Sequence, residues 1–146
     1  MNNPIFLIVV AQMFGTSLWF STNGVLKQIE QIWSLSTGDL GLLTNSVQFG
    51  FIVGTLVFSV TGFADKFKPS RIVMLCCFLG ATSNALIVFE EISFTFVIFS
   101  RLVVGVALAG IYPIGMKLII SWNPQRAPNT LGLLVGMLVL GSSLPY

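Results

Sequence analysis

Long uncharged apolar runs alternate in this chain with short segments that hold most of its charged residues. The clearest such segment, Thr61 to Arg71, contains four charged residues in eleven positions. An uncharged run of about twenty residues lies on each side of it, which is the length that crosses hydrocarbon about 30 Å thick at a helical rise of about 1.5 Å per residue. The pattern therefore predicts membrane-spanning helices.

Composition agrees with a membrane setting. Charged residues make up 8% of the chain and hydrophobic residues 55%, whereas an ordinary soluble domain is roughly 25% charged. Mean hydropathy is +0.93. So few charges cannot cover the surface of a domain in water, so the lipid bilayer is the expected solvent and the fold class is all-α transmembrane.

Five apolar runs are long enough to be helices, and together they predict one membrane domain over residues 1–146. The predicted spans are residues 4–26, 40–63, 72–89, 92–120 and 131–146, the last of them incomplete. No Lys or Arg precedes the first run, so we interpret it as a retained span and not as a cleaved signal peptide. Between the first two runs, apolar residues at helical spacing predict an interfacial helix, and Ser36 or Asp39 suits the N-cap that follows.

The distribution of basic residues predicts the orientation. One set of turns and helix ends carries most of them, namely Lys66, Lys68, Arg71, Lys117 and Arg126. The opposite set is mainly acidic and comprises Lys27, Glu30, Asp39, Glu90 and Glu91. Because Lys and Arg favour cytoplasmic loops, the N-terminus is predicted to be cytoplasmic.

Several function classes find no support in the sequence. The net charge of +2 without a basic stripe argues against nucleic acid as a partner. There is no His, and the adjacent Cys76 and Cys77 point about 100° apart on a helix, so neither a metal site nor a structural disulfide is expected. No nucleophile with a base and no paired carboxylates occur at span depth, so we predict no enzyme, no catalytic residue and no cofactor.

Polar side chains form stripes on three of the predicted helices. The stripes are Gln12, Thr16, Trp19 and Asn23 on the first, Thr44, Gln48, Thr55 and Ser59 on the second, and Arg101, Gly105 and Tyr112 on the fourth. A polar stripe on a membrane helix should face a cavity or another helix. The alternative is interhelical hydrogen bonding, worth about 0.6 kcal/mol per bond. The candidates for a substrate cavity or coupling site are Gln12, Thr16, Trp19, Asn23, Gln48, Arg101 and Tyr112.

Arg101 differs in kind from the other candidates. It would lie about 13 Å inside a helix that starts near Ile92, where an Arg costs roughly 2.5–3.5 kcal/mol on insertion scales. No Asp or Glu lies at the same depth to offset that cost. Such a cation favours an anionic substrate or proton coupling; the alternative is a structural Arg bonded to backbone carbonyls. Lys117 can instead extend its ammonium group to the interface.

The turn after the second span carries a known family pattern. Phe63, Ala64, Asp65 and Lys66 fit the centre of Gly-x-Leu-Ala-Asp-Arg-x-Gly-Arg-Lys, with Thr61 in place of the first Gly and Lys68-Pro69-Ser70 in place of Gly-Arg-Lys. In "RLVVGVALAG", Arg101 and Gly105 match a helix-four pattern in which Val104 replaces a common Gln. "LSTGDLGLLTNSVQFGFIVG" resembles the entry into helix two. The chain resembles the N-terminal half of a major facilitator superfamily transporter.

That resemblance implies secondary active transport of a small-molecule substrate by alternating access, with a proton or ion as the coupling partner. It implies a partial major-facilitator-type helical bundle with about five membrane-spanning helices, completed by a missing C-terminal half. In this family helices one and four line the cavity, and Asp65, Lys66 and Arg71 fall in the cytoplasmic gating turn. With the other half absent, Asp65 is expected to bond locally to Lys66, Arg71 or a helix N-terminus.

The short length predicts a truncated product or fragment, and the bacterial branch of the family predicts the inner membrane as its location. The alternative is a non-transporting remnant that associates with other membrane chains.

Overall fold

Helices form nearly all of the chain that the computed structural model describes, which is residues 4–89 and 92–143. Within that part, the α-helices are α1 Pro4–Phe20, α2 Leu26–Trp33, α3 Thr37–Thr61, α4 Phe63–Lys66, α5 Pro69–Ala85, α6 Phe94–Trp122 and α7 Ala127–Ser143. Short 3₁₀ turns occupy Asn23–Val25, Leu86–Val88 and Pro124–Arg126. The all-α class predicted from the sequence is confirmed.

Local sequence signals explain where α3 begins and ends. Ser36 and Asp39 form a capping box: the Ser36 hydroxyl accepts from the Asp39 backbone N–H, and the Asp39 carboxylate accepts from the Ser36 backbone N–H at 2.9 Å. Both residues proposed for the N-cap thus take part, which satisfies two of the unpaired donors at the helix start. α3 ends at Gly62, whose φ of 59° lies in the left-handed region that glycine adopts at no steric cost.

The first apolar run is divided into two helices. α1 stops at Phe20, and the chain passes through Asn23–Val25 into α2, so that the two helical parts meet at 43°. Asn23 and Gly24 form an Asn-Gly pair, which favours turns. This pair explains why α1 does not extend to residue 26 as the sequence predicts. The predicted interfacial segment is helical as α2, with Ile29 buried.

Among the described residues, three helices are long and apolar enough to cross a membrane, namely Thr37–Thr61, Pro69–Val88 and Phe94–Trp122. A fourth is added if the bent pair of Pro4–Phe20 and Asn23–Trp33 counts as one span. The described part of the fifth predicted span is α7, which has 17 residues. Residues 144–146 of that span, and Glu90 and Glu91 of the turn before α6, lie outside the described residues. The structure therefore supports three to four spans where the sequence predicts about five.

α6 is the central helix of the bundle and packs against α1, α3 and α5, while α7 packs mainly on α1. α3 and α6 approach each other closely at Gly50 and Gly105, where a Cβ atom on either glycine would overlap backbone atoms of the other helix. Small residues permit such close helix packing in membranes. This crossing fixes α6 in the middle of the bundle and so fixes the positions of Arg101 and Tyr112.

Large apolar side chains cover the outer faces of the helices. Examples with exposed rings are Phe6, Phe14, Phe49, Phe78 and Phe99. In a bilayer these side chains face lipid, so their exposure is consistent with an integral membrane protein.

Candidate functional site

Arg101 lies inside the bundle and is 1% exposed. Its Nη1 donates to Asn84 Oδ1 at 2.8 Å and to the Leu18 carbonyl at 3.3 Å, and its Nη2 donates to the Trp19 carbonyl at 2.8 Å. The Ser21 hydroxyl lies 3.4 Å from Nη1 and donates to Asn84 Oδ1 at 2.8 Å. The guanidinium group thus joins α1, α5 and α6.

The carbonyl partners of Arg101 belong to the end of α1. The last four carbonyls of a helix have no partner within it, and they carry the partial negative charge of the helix dipole. Leu18 and Trp19 supply two of those carbonyls, because α1 ends at Phe20. Arg101 therefore satisfies backbone groups at the point where the first helix breaks, which is where irregular backbone at membrane depth needs a neighbour's donors. This is the carbonyl-bonded arrangement that the sequence left as the alternative.

A pocket of about 260 Å³ lies between α1, α3, α6 and α7. We call it the aromatic pocket; its lining residues are Thr16, Trp19, Phe20, Phe51, Tyr112 and Leu138. The Trp19 ring lies 4.9 Å from the Phe51 ring and 6.2 Å from the Phe20 ring, measured between centroids. The Thr16 hydroxyl donates to the Gln12 carbonyl at 2.7 Å within α1. The lining residues therefore present rings and alkyl groups and no charge.

The structure brings together three of the seven cavity candidates, Thr16, Trp19 and Tyr112, in the aromatic pocket. Gln12 instead lies fully buried beside Gly115, and its Nε2 donates to the Ile111 carbonyl at 2.8 Å. Its Oε1 has no hydrogen-bond partner among the described residues.

Three further candidates also lie outside the aromatic pocket. Asn23 is in the 3₁₀ turn after α1, and Gln48 is on an exposed part of α3. Arg101 does not line the pocket either.

Sequence reasoning missed three lining residues, Phe20, Phe51 and Leu138. Each is an apolar residue in an apolar helix, so no polar pattern separates it from a residue that faces lipid. The ring pair of Trp19 and Phe51 forms only because α1 and α3 pack side by side on α6.

The polar residues of α3 bond differently from the interhelical bonding that the sequence allowed. The Thr44 hydroxyl donates to the Leu40 carbonyl at 3.1 Å, and the Thr55 hydroxyl donates to the Phe51 carbonyl at 2.8 Å. Both partners are four residues back in the same helix, where a hydroxyl can reach the preceding turn. These two bonds therefore do not connect α3 to another helix.

Asp65 forms an ion pair with Lys117 of α6. The expectation that Asp65 bonds only locally, to Lys66, Arg71 or a helix N-terminus, is wrong. The physical reason is that α4 lies beside α6: Gly62, Ala64 and Asp65 line one crevice together with Pro113 and Lys117. Lys117 therefore has a carboxylate partner within this chain, while Lys66 and Arg71 are exposed.

Comparison with known proteins identifies the family. No curated protein and no solved structure shows significant similarity to the chain. The family model described as Major Facilitator Superfamily matches residues 5–144, which is nearly the whole sequence. That family consists of membrane transporters and not enzymes. The chain therefore belongs to the major facilitator superfamily and is an integral membrane protein of a transporter family.

Proposed function

We propose that this chain is part of the N-terminal half of a secondary active transporter that moves a small solute by alternating access. The observation that carries the proposal is the aromatic pocket, in which residues of four helices converge on a concave space. Ligand sites in helical membrane proteins lie in such spaces between helices. The pocket contains Thr16, Trp19 and Tyr112, which the sequence had marked as cavity residues.

The proposed transporter has a second half that closes the pocket and contributes the coupling site. None of the six lining residues has a carboxylate, so a coupling proton or ion would be bound by groups of the other half. Asp65 lies in the turn proposed to face the cytoplasm and pairs with Lys117 of α6. We assign the gating role to Asp65, with Lys66 and Arg71 in the same turn.

Alternating access can be tested without knowledge of the substrate. In the full-length carrier, with Cys76 and Cys77 replaced by Ala, Leu138→Cys would place a thiol in the aromatic pocket. Impermeant thiol reagents should label it from each side of oriented vesicles, because the pocket opens alternately to the two sides. Leu133→Cys is the control, since Leu133 lies on the same helix but faces outward. Labelling from one side only would contradict alternating access.

A second test uses residues 1–146 alone. The pocket would then be open on the side that the other half covers, so vesicles with this chain alone should accumulate no solute above empty controls. Accumulation by the isolated chain would contradict the proposed need for a second half, unless copies of the chain assemble.

The proposed location is the bacterial inner membrane with the N-terminus in the cytoplasm. In the background without Cys76 and Cys77, Gln31→Cys on exposed α2 should react with an impermeant reagent on intact cells, and Ser70→Cys should not. Gln31 is chosen because Ser36 caps α3 and a substitution there would disturb the helix start. The opposite labelling pattern would reverse the orientation.

A further inference from the structure

Arg101 does not line the aromatic pocket. Four hydrogen bonds direct the Arg101 Nη atoms to Leu18, Trp19, Ser21 and Asn84. Its Nε is buried as well and has no hydrogen-bond partner among the described residues. Since Arg101 does not line the aromatic pocket, an anionic solute there would contact no cationic side chain among the lining residues. Stripping an anion of water without a cationic partner in contact is costly, so the lining residues give no reason to expect an anionic substrate.

The pocket surface has the chemistry that accepts apolar and cationic groups. Four aromatic residues, Trp19, Phe20, Phe51 and Tyr112, supply most of its lining. The faces of aromatic rings carry partial negative charge and attract weakly hydrated cations such as quaternary ammonium groups. The same faces pack against aromatic and alkyl groups, but they repel anions.

The size of the pocket points to a compact group rather than a helix or an extended chain. An apolar cavity of about 150 Å³ is large enough to hold benzene, and the volume here is about 260 Å³. That leaves room for one substituted ring. The pocket lies between four helices and has room for one compact group, whereas the docking of a further helix would need a groove that runs along the helices.

We propose that the aromatic pocket binds the ring or branched-alkyl part of an organic solute that carries no negative charge. The physiological meaning of this site, as the substrate contact of a carrier, rests on the transport function proposed above. The binding chemistry itself rests on the lining residues, which are mainly aromatic and include no charged side chain.

Three probes of nearly equal shape test the charge preference. They are benzyltrimethylammonium, its neutral carbon analogue neopentylbenzene, and the anion phenylmethanesulfonate. The chain of 146 residues is placed in nanodiscs with Trp33→Phe and Trp122→Phe, so that Trp19 is the sole reporter of indole fluorescence. The cation and the neutral probe should change Trp19 fluorescence saturably, and the anion should bind about tenfold more weakly or not at all.

A matched pair of variants tests the location. Leu138→Phe fills the pocket and should weaken binding of the cation about tenfold, because its ring takes the space of the probe. Leu133→Phe makes the same change on the outer face of α7, where Leu133 is 49% exposed, and should leave binding unchanged. Both variants keep Arg101 and its partners intact, and size-exclusion chromatography shows whether each remains folded.

Several outcomes would overturn the proposal. Equal affinity for the sulfonate would refute the charge preference. An equal effect of the two Phe variants, or none from Leu138→Phe, would show partitioning into lipid instead of binding in the pocket. A Trp19 signal that follows lipid chain length without any probe would identify a lipid chain as the occupant. Signal changes that follow protein concentration would identify a second copy.

Failure of this inference can be distinguished from failure of the transport proposal. Saturable binding of the cation with one-sided labelling of Leu138→Cys would support the proposed ligand class but refute alternating access. Two-sided labelling with preferred binding of the sulfonate would support transport but refute the proposed ligand class.

Discussion

The two cationic side chains of α6 lie roughly 24 Å apart along the helix axis and are stabilised in opposite ways. Arg101 is 1% exposed and bonds to backbone carbonyls of α1 and to Asn84. Lys117 has 48% of its side chain exposed and pairs with Asp65, which is 76% exposed. Uncharged dipolar groups thus stabilise the charge of Arg101 in the interior, whereas a carboxylate stabilises the charge of Lys117 at the surface.

This difference indicates which charged residues of a membrane bundle destabilise it most when they are substituted. If the guanidinium group is removed, water cannot reach the acceptors around it, so the Trp19 carbonyl and one of the two acceptors that Ser21 shares with Arg101 would remain buried without a donor. Lys117 and Asp65 are both exposed, so water can solvate either side chain if the other is removed. We therefore expect large effects of substitution at the Arg101 end of α6 and small effects at the Lys117 end.

Arg101→Ala should have the largest effect. It removes the donor of the Trp19 carbonyl and leaves the Ser21 hydroxyl, with one proton, to serve both the Leu18 carbonyl and Asn84 Oδ1. Each buried unsatisfied group costs about 1–3 kcal/mol. We expect the free energy of unfolding to fall by about 3–5 kcal/mol, measured by denaturation with SDS. Unchanged stability would show that the α1 carbonyls find other donors.

Arg101→Lys should have an intermediate effect. The ammonium group keeps the charge but lacks the planar fork that reaches two helices at once. We expect a loss of about 1–3 kcal/mol in the same assay, because at least one acceptor group on α1 or α5 loses its donor. Full stability with Lys would mean that charge alone, without the fork geometry, holds the end of α1.

Asn84→Ala should reduce stability by about 1–2 kcal/mol, since Asn84 Oδ1 accepts from both Arg101 and Ser21. The control is Thr82→Ala, two residues away on α5, where an exposed hydroxyl bonds only within its own helix. If both variants lose the same stability, the effect belongs to the helix and not to the arginine network.

Lys117→Gln should have the smallest effect, below about 1 kcal/mol, because exposed ion pairs contribute little. A double-mutant cycle with Asp65→Asn should give a coupling energy in the same range, and added salt should reduce it. A loss as large as that of Arg101→Ala would remove the contrast between the two ends of α6.

Sequence patterns located the helices better than they located the site. The capping signal at Ser36 and Asp39 was readable because a capping box lies within four residues. The stripe of α1 was only partly informative: Thr16 and Trp19 line the aromatic pocket, whereas Gln12 bonds to α6 and Asn23 lies beyond the end of the helix. Helical periodicity predicts which residues share a face of one helix, but it does not predict which other helix packs against that face.

By itself, the sequence determined that this protein is a helical membrane protein of the major facilitator superfamily, because apolar run length and the turn motif are local properties of the chain. Only the tertiary structure decided the partners of its charges and the lining of its pocket. Arg101 meets the end of α1, more than eighty positions earlier in the chain, and Asp65 meets Lys117 across 52 positions. Such contacts depend on how helices cross at Gly50 and Gly105, and no local pattern records that crossing.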